Sequence, residues 1–231
     1  GQSFWNLEKR FTGWADIDLT EHGKSEARYA GQLIKKINIK FDSYFTSVQK
    51  RAMNTLKIIL NVLNSNNPKI NKAWELNERH YGGLTGLNKD EMIKKHGKKK
   101  VHIWRRSFNV PPPPMELKNL YHPAKNKAYV NIPKNKIPNS ESLKNTFERV
   151  VPYYKKNIEP LIYQNKNILV AAHGNSLRAL CKKILKISNK RIVEFEIPTG
   201  NPLLITFGKK LEVKEYKYLD IKRAKKIFIN I

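Results

Sequence analysis

The chain has 231 residues, of which 40% are hydrophobic, and this composition suits one α/β domain spanning 1–231 with a sizeable core. Its longest apolar runs, such as 168–172, are far shorter than the roughly 20 residues of a membrane helix, and none resembles a secretory signal. The single Cys181 excludes an internal disulfide and favours a reducing compartment. We therefore predict a cytoplasmic protein with no membrane partner.

The formal charge of +26 would attract nucleic acid, anionic membranes or small anionic substrates. Lysines are scattered along the chain, with short runs at 98–100, 209–210 and 225–226, and are not concentrated in one arm. No nucleic-acid-binding motif accompanies them. We interpret the charge as a general surface enrichment and predict no specific nucleic-acid partner.

Residues 20–37 are predicted to form an amphipathic helix that begins at Thr20. Its apolar face is formed by Ala27, Ala30, Leu33, Ile34 and Ile37. A β-rich segment at 43–47 leads into a second predicted helix at 50–63. The order so far is helix, strand, helix.

From 64 to 139 the pattern is irregular, with a predicted short helix at 89–96 and an extended run of four prolines at 111–114. We interpret this stretch as an ordered crossover. A long helical pattern resumes near Ser140 and should be kinked or divided at Pro152 and Pro160.

The continuous apolar run at 167–172 is typical of a strand buried in a parallel sheet, and residues 173–176 turn it into another helix. Two further strands, 203–207 and 211–218, are separated by Gly208 and two lysines and predict a hairpin. This alternation predicts a three-layer α/β sandwich with a mostly parallel central sheet flanked by helices.

Several polar residues stand where such a fold binds anions. His173 follows a buried strand and opens a helix, where free N–H groups attract anions, although a lone histidine there is more often structural. Arg51 opens the helix after another strand, and Arg105 with Arg106 forms a guanidinium pair. Glu78 is the acid of a segment rich in groups that could orient it, but a capping role is equally open. No spacing resembles a zinc or calcium site, so we predict no metal.

Taken together, these segments resemble the cofactor-dependent phosphoglycerate mutases of the histidine phosphatase superfamily. The matching motifs run in order over nearly the whole chain: 1–6, 10–14, 18–21, 46–47, 50–52, 76–82, 86–89, 104–106, 140–143, 172–180 and 197–200. The segment around Glu78 and the extended match at 104–106 favour the mutase branch over the general phosphatases.

The resemblance implies interconversion of 3-phosphoglycerate and 2-phosphoglycerate through a phosphohistidine, primed by 2,3-bisphosphoglycerate, in a homodimer or homotetramer. It implies that Glu78 transfers the substrate's proton while His173 and Arg51 stabilise charge on the phosphoryl group. The substrate-binding residues that it implies are Gly1, Gln2, Ser3, Phe4, Trp5, Asn6, Thr12, Gly13, Arg51, Glu78, Arg79, His80, Tyr81, Lys89, Arg105, Arg106, Gly174 and Asn175.

The chain departs from the family pattern at its start. In the family, the glycine that matches Gly1 follows an Arg-His pair, and that histidine is the nucleophile. We therefore expect a chain truncated at its N-terminus, without the first central strand, that is inactive and unstable or aggregation-prone as written. The basic and apolar segment 218–231 also differs from the mobile tail that often closes the family's site.

Two other functions stay open at this point. A bisphosphoglycerate mutase or phosphatase would share the same site and differ in how water and the second substrate enter. A basic, non-catalytic binding protein could keep the scaffold, and would be recognised by salt-sensitive binding to nucleic acid.

Overall fold

A computed structural model describes residues 1–224 of the chain. The helices are α1 (Phe4–Leu7), α2 (Glu21–Lys36), α3 (Lys50–Val62), α4 (Lys89–His96), α5 (Lys98–Arg106), α6 (Leu143–Tyr153), α7 (Glu159–Tyr163) and α8 (Gly174–Ile184). The strands are β1 (Ser43–Thr46), β2 (Ile70–Lys72), β3 (Ile168–Ala171), β4 (Leu203–Phe207) and β5 (Val213–Tyr218).

Three strands form a parallel sheet in the order β2-β1-β3, with Tyr44 of β1 opposite Ile70 and Leu169. Alternate residues of the middle strand face opposite sides, as in any strand. Tyr44 packs against α2 and α3, whereas Phe45 packs into the larger core that α6 and α8 build. Helices therefore cover both faces of the sheet, which confirms the predicted three-layer α/β fold.

The predicted helices are confirmed with small changes at their ends. The Oγ1 of Thr20 accepts a hydrogen bond from the Gly23 N–H at 2.9 Å and caps α2 at the expected position. The long pattern that resumes near Ser140 is divided as expected, since a π-helical turn, Tyr154–Ile158, separates α6 from α7. Pro160 has no N–H to donate to the preceding turn, which explains why regular α-helix is interrupted there.

Three elements were not predicted: the one-turn α1, β2 and α5. β2 has only three residues, and Ile70 is its one apolar side chain, so it lacks the alternation that marks a strand. α5 follows α4 directly, because Gly97 takes a φ of 82° that ends one helix and redirects the chain into the next. The region from 64 to 139 is therefore more regular than its sequence indicates.

β4 and β5 form an antiparallel hairpin, as predicted. β5 begins at Val213 and not at Leu211, because Leu211 adopts a φ of 60° and belongs to the turn. Strand residues do not take this left-handed conformation.

Within residues 1–224 the hairpin forms its own sheet, and β3 has one unpaired edge. Both β3 and β4 line a cavity of about 720 Å³.

Within the described part of the chain, no helix combines the length and the apolar character that a membrane crossing requires. Residues 225–231 lie outside the described residues, and with them the second half of the basic segment 218–231 whose gating role the sequence puts in question.

Candidate active site

The carboxyl ends of β1 and β3 meet at one edge of the sheet, where ligands bind in open α/β folds. Ser47 follows β1 and His173 follows β3, and their Oγ and Nε2 atoms lie 2.7 Å apart in a hydrogen bond. The cavity at this edge is lined by ten of the predicted site residues: Gly1, Asn6, Thr12, Gly13, Arg51, Glu78, Tyr81, Lys89, His173 and Gly174.

His173 occupies the N-cap position of α8 and is buried. Burial, reinforced by the positive charges of Arg51 and Arg149, lowers the pKa of its imidazole well below the usual value. The ring is therefore neutral at pH 7 in this environment. An anionic phosphoryl group beside it would oppose both effects and favour the protonated, donating form.

Arg51 lies in the first turn of α3, and its guanidinium is held by backbone carbonyls. Its two terminal nitrogens donate to Ala15 O at 3.0 Å and to Gly13 O at 2.9 Å. Burial lowers the pKa of Arg51, the negative charge of Glu78 opposes that shift, and a guanidinium stays charged at any physiological pH. The result is a fixed positive charge beside the loop that contains Gly13.

Glu78 points its carboxylate at the N-terminus of α8. Its Oε1 accepts hydrogen bonds from the Arg79 N–H at 2.7 Å and from the Asn175 N–H at 3.2 Å. Its backbone carbonyl is held as well, by the indole of Trp14 at 2.6 Å and by the guanidinium of Arg149 at 2.9 Å. A carboxylate restrained in this way has the fixed position that proton transfer requires.

A cationic cluster lies next to this acid. Arg79 is fully buried, and its guanidinium carbon lies 4.6 Å from the centre of the Tyr81 ring. One terminal nitrogen of Arg79 donates to Arg105 O at 2.9 Å, while its Nε and other terminal nitrogen are buried without a hydrogen-bond partner. Buried donors of this kind are suited to an anionic ligand.

The positive charge of this cluster affects the pKa values of neighbouring side chains. Burial alone would raise the pKa of Tyr81, but the nearby charge of Arg79 and a hydrogen bond from Asn175 outweigh it and lower that pKa. Burial, with a contribution from Arg105, lowers the pKa of Lys89. Arg106 differs from its neighbours, because its guanidinium forms a close ion pair with Glu196.

Two predicted residues, Arg79 and Asn175, reach the cavity through direct contacts with Glu78 and Tyr81. The remaining predicted residues do not line the cavity. Gln2 donates from its backbone to Glu26 at 2.7 Å and joins the N-terminal segment to α2. Ser3 caps α1 by accepting from Asn6, and Phe4 is 50% exposed.

Two aromatic residues of the predicted set also lie outside the cavity. Trp5 packs edge-on against Tyr121, with ring centres 5.0 Å apart. His80 is buried behind the site. Its Nδ1 accepts a hydrogen bond from the Gly82 N–H at 2.9 Å, and its backbone N–H donates to the Glu141 carboxylate. We interpret Trp5 and His80 as residues that support the walls of the site, because neither lines the cavity in which a ligand would bind.

The structure adds residues to which the sequence analysis assigned no role. Ser47 binds His173, and its place directly after β1 was the available signal. Arg178 is buried one turn into α8 and donates to the side-chain oxygen of Asn175 at 2.9 Å. Burial, with the charges of Arg106 and Arg79, lowers the pKa of Arg178 to about 10.

Residues 1–224 contain no group of three or more His, Cys, Asp or Glu side chains that could hold a metal ion. The positive charge of the site comes from the arginine side chains, from Lys89 and from the backbone at the N-terminus of α8.

Comparison with known proteins connects this site to a family. The sequence profile of the histidine phosphatase superfamily (branch 1) matches residues 1–122 and 115–215. A "2,3-bisphosphoglycerate-dependent phosphoglycerate mutase" of Pelagibacter ubique (strain HTCC1062) is 53% identical over 229 residues, covering 99% of this chain and 96% of that protein. A protein of the same name from Maricaulis maris (strain MCS10) is 48% identical and covers 97% of this chain and 93% of its own length. The chain belongs to the phosphoglycerate mutase family of the histidine phosphatase superfamily.

Solved structures of the superfamily share the fold of this phosphoglycerate mutase family member. A mycobacterial glucosyl-3-phosphoglycerate phosphatase aligns with a TM-score of 0.70 at 16% identity, over 94% of this chain and 93% of that one. The α-ribazole phosphatase of Shigella flexneri aligns with a TM-score of 0.65 at 20% identity, over 91% and 88%. Their resemblance to this chain is one of fold.

Proposed function

We propose that this protein is a 2,3-bisphosphoglycerate-dependent phosphoglycerate mutase that interconverts 3-phosphoglycerate and 2-phosphoglycerate through a phosphohistidine. The observation that carries the proposal is the meeting of Glu78, His173 and Arg51 in one cavity beside the cationic cluster around Arg79. Close kinship with proteins of that name supports it.

Phosphoryl transfer depends on positioning and on stabilising negative charge. Arg51 supplies a fixed positive charge at the Gly13 loop, and His173 supplies an imidazole that can donate once an anion approaches. The N-terminus of α8 adds a partial positive charge. Together these groups would stabilise the transferring phosphoryl group, whose charge spreads over three oxygens.

Glu78 is the proposed proton-transfer residue. As the phosphorus–nitrogen bond of the phosphohistidine breaks and a phosphorus–oxygen bond forms at the substrate hydroxyl, the hydroxyl proton would pass to the Glu78 carboxylate. In the return transfer, the phosphorus–oxygen bond at the other oxygen breaks as the phosphorus–nitrogen bond to the histidine forms again, and the proton goes back from Glu78 to that oxygen. The same carboxylate thus acts as base and then as acid.

The residues present fit a bisphosphorylated three-carbon acid. Arg79 offers two buried guanidinium nitrogens that have no hydrogen-bond partner. Thr12 offers a buried hydroxyl that also has none. Lys89 and Arg105 add charge on the side of the cavity near Tyr81. When bound, 2,3-bisphosphoglycerate would supply the phosphoryl group that primes the protein.

In the family, the nucleophile is the histidine of the Arg-His pair that precedes the glycine matching Gly1. Gly1 lines the cavity, and its amino nitrogen donates to Thr55 Oγ1 at 3.2 Å. A residue joined to this nitrogen would lie at the cavity.

We further infer that residues 1–231 form one domain, that the protein is a homodimer or homotetramer, and that it acts in the cytoplasm. Sedimentation equilibrium would test the oligomeric state, and a single cooperative melt would support one domain.

The proposed activity can be tested with protein expressed from its complete gene, supplied with 3-phosphoglycerate and with or without catalytic 2,3-bisphosphoglycerate. We expect 2-phosphoglycerate to form, and to form much faster in the primed reaction. Net release of inorganic phosphate would indicate a phosphatase, and accumulation of 2,3-bisphosphoglycerate would indicate a bisphosphoglycerate synthase. No turnover combined with salt-sensitive nucleic-acid binding would favour the binding protein.

A further inference from the structure

Gln49 is a fully buried amide between β1 and α3, and it does not line the cavity. Its side-chain oxygen accepts hydrogen bonds from the Glu78 N–H at 2.9 Å and from the Arg51 guanidinium at 3.4 Å. Its side-chain nitrogen donates to Gly13 O at 3.0 Å. One side chain therefore contacts the proposed proton-transfer residue, the fixed positive charge and the loop beside it.

The backbone of Gln49 extends this set of contacts. Its N–H donates to Ser47 Oγ at 3.2 Å, and Ser47 is bound in turn to His173. All three proposed catalytic residues are thus joined to Gln49 directly or through one residue, Glu78 through its backbone N–H.

The chemistry of a glutamine fits this position. The two donors, from Glu78 and Arg51, face its oxygen, and the Gly13 carbonyl faces its nitrogen, so one orientation of the amide satisfies all three contacts. A methionine would leave buried groups unpaired, and a carboxylate would add a negative charge beside Glu78. A neutral group with one acceptor and one donor meets both requirements.

We propose that Gln49 is a positioning residue that fixes Arg51 and Glu78 relative to each other for phosphoryl transfer. It contacts no substrate and acts through the groups it holds. The proposal rests on the proposed mutase function, since that function assigns Arg51 to charge stabilisation and Glu78 to proton transfer.

The test compares Gln49→Met with Thr146→Val in protein from the complete gene. Thr146 is a buried residue of α6 outside the site, and its hydroxyl donates one hydrogen bond to Ser142 O at 3.2 Å. Turnover is counted per active site, as measured by phosphoryl groups incorporated from labelled 2,3-bisphosphoglycerate. We expect Gln49→Met to lower kcat by roughly 10- to 100-fold with little change in KM, as small misplacements of catalytic groups do. Thr146→Val should keep the wild-type kcat.

A double-mutant cycle separates positioning from a general structural effect. In a Glu78→Gln background, Gln49→Met should cost clearly less than in the wild type, because the group it positions no longer transfers a proton. An equal cost in both backgrounds, or an unchanged kcat for folded Gln49→Met, would overturn the proposal. If Gln49→Met does not fold, Gln49→Asn, which keeps the amide but shortens its reach, carries the same expectation.

Failure of the mutase proposal and failure of the Gln49 proposal give different results. Wild-type protein that makes no 2-phosphoglycerate contradicts the mutase proposal itself. Wild-type turnover that Gln49→Met leaves intact contradicts only the role of Gln49.

Discussion

At the scale of single residues, the site places a neutral histidine, a fixed guanidinium and a restrained carboxylate around one cavity. His173 is neutral because it is buried beside cations, Arg51 is fixed by two backbone carbonyls, and Glu78 is held at both its backbone and its carboxylate. The division of labour follows from these environments. Each role can be tested by one substitution.

Glu78→Gln should lower kcat by roughly 10²- to 10⁴-fold, the usual contribution of a positioned acid–base group. The amide keeps the shape of the side chain but cannot accept the hydroxyl proton. Steady-state kinetics would measure the loss. Glu148→Gln, which changes an exposed acid on α6, should match the wild type, and a Glu78→Gln enzyme with normal kcat would rule out the proposed role.

Glu196→Gln should lower KM for 3-phosphoglycerate by roughly two- to fivefold, the range expected for a partly exposed ion pair. Glu196 engages the Arg106 guanidinium, which the family resemblance assigns to substrate binding. Removing the carboxylate's charge frees Arg106 for the substrate's anionic groups. A KM that stays the same or rises would show that Arg106 has no part in binding or needs Glu196 to hold it in place.

The residues that the sequence could identify were those in recognisable motifs, such as Glu78 and His173. Gln49 lies two positions before the motif residue Arg51. Nothing in the sequence shows that its side-chain amide accepts a hydrogen bond from Glu78, which is 29 positions away. The pairing of Ser47 with His173 joins residues 126 positions apart. Such roles depend on which strands become neighbours, and only the fold determines that.

At the scale of elements, the helices with strong patterns were predictable and the short connections were not. α2 has a cap and a regular apolar face, and the strand 167–172 is a continuous apolar run. β2 is held by its pairing with β1 and not by its own sequence. α5 depends on the backbone turn at Gly97, which apolar spacing does not reveal.

The buried face of α3 holds the helix that carries Arg51. Leu56→Ala should lower the free energy of unfolding by about 2–5 kcal/mol, because Leu56 is almost fully buried between α2 and the sheet. Urea titration would measure the change. Leu7→Ala, at a residue that is 60% exposed, should cost less than about 0.5 kcal/mol. Equal effects of the two substitutions would contradict this packing.

At the scale of the whole molecule, stability should fall as the solution becomes acidic. Burial lowers the pKa of His80 to about 4, against an ordinary value of 6.5. Between these values the unfolded chain binds more protons than the folded one, so the free energy of unfolding decreases from pH 6.5 to pH 4. The loss from this residue is on the order of 3 kcal/mol.

His80→Asn keeps a side-chain acceptor for the Gly82 N–H but removes the titrating ring. Its free energy of unfolding should therefore fall less steeply between pH 7 and pH 4.5 than that of the wild type, as measured by urea titrations at both values. His173, whose pKa is also lowered, acts in the same direction in both proteins. Parallel slopes in the two proteins would refute the assignment to His80.

The whole molecule also has a net charge of +26, far more than binding a three-carbon acid requires. Surface charge of this size favours encounter with anions and loses its effect as salt screens it. We propose that the selective part of binding lies in the buried guanidinium groups around Arg79, where screening by salt is weak.

We propose that this site moves a phosphoryl group between two oxygens of one substrate. A ³¹P NMR time course can follow 3-phosphoglycerate mixed with catalytic 2,3-bisphosphoglycerate and protein from the complete gene. We expect the 3-phosphoglycerate signal to decline to an equilibrium mixture with 2-phosphoglycerate while inorganic phosphate stays at its background level. Steady growth of inorganic phosphate, or an unchanged spectrum, would contradict it.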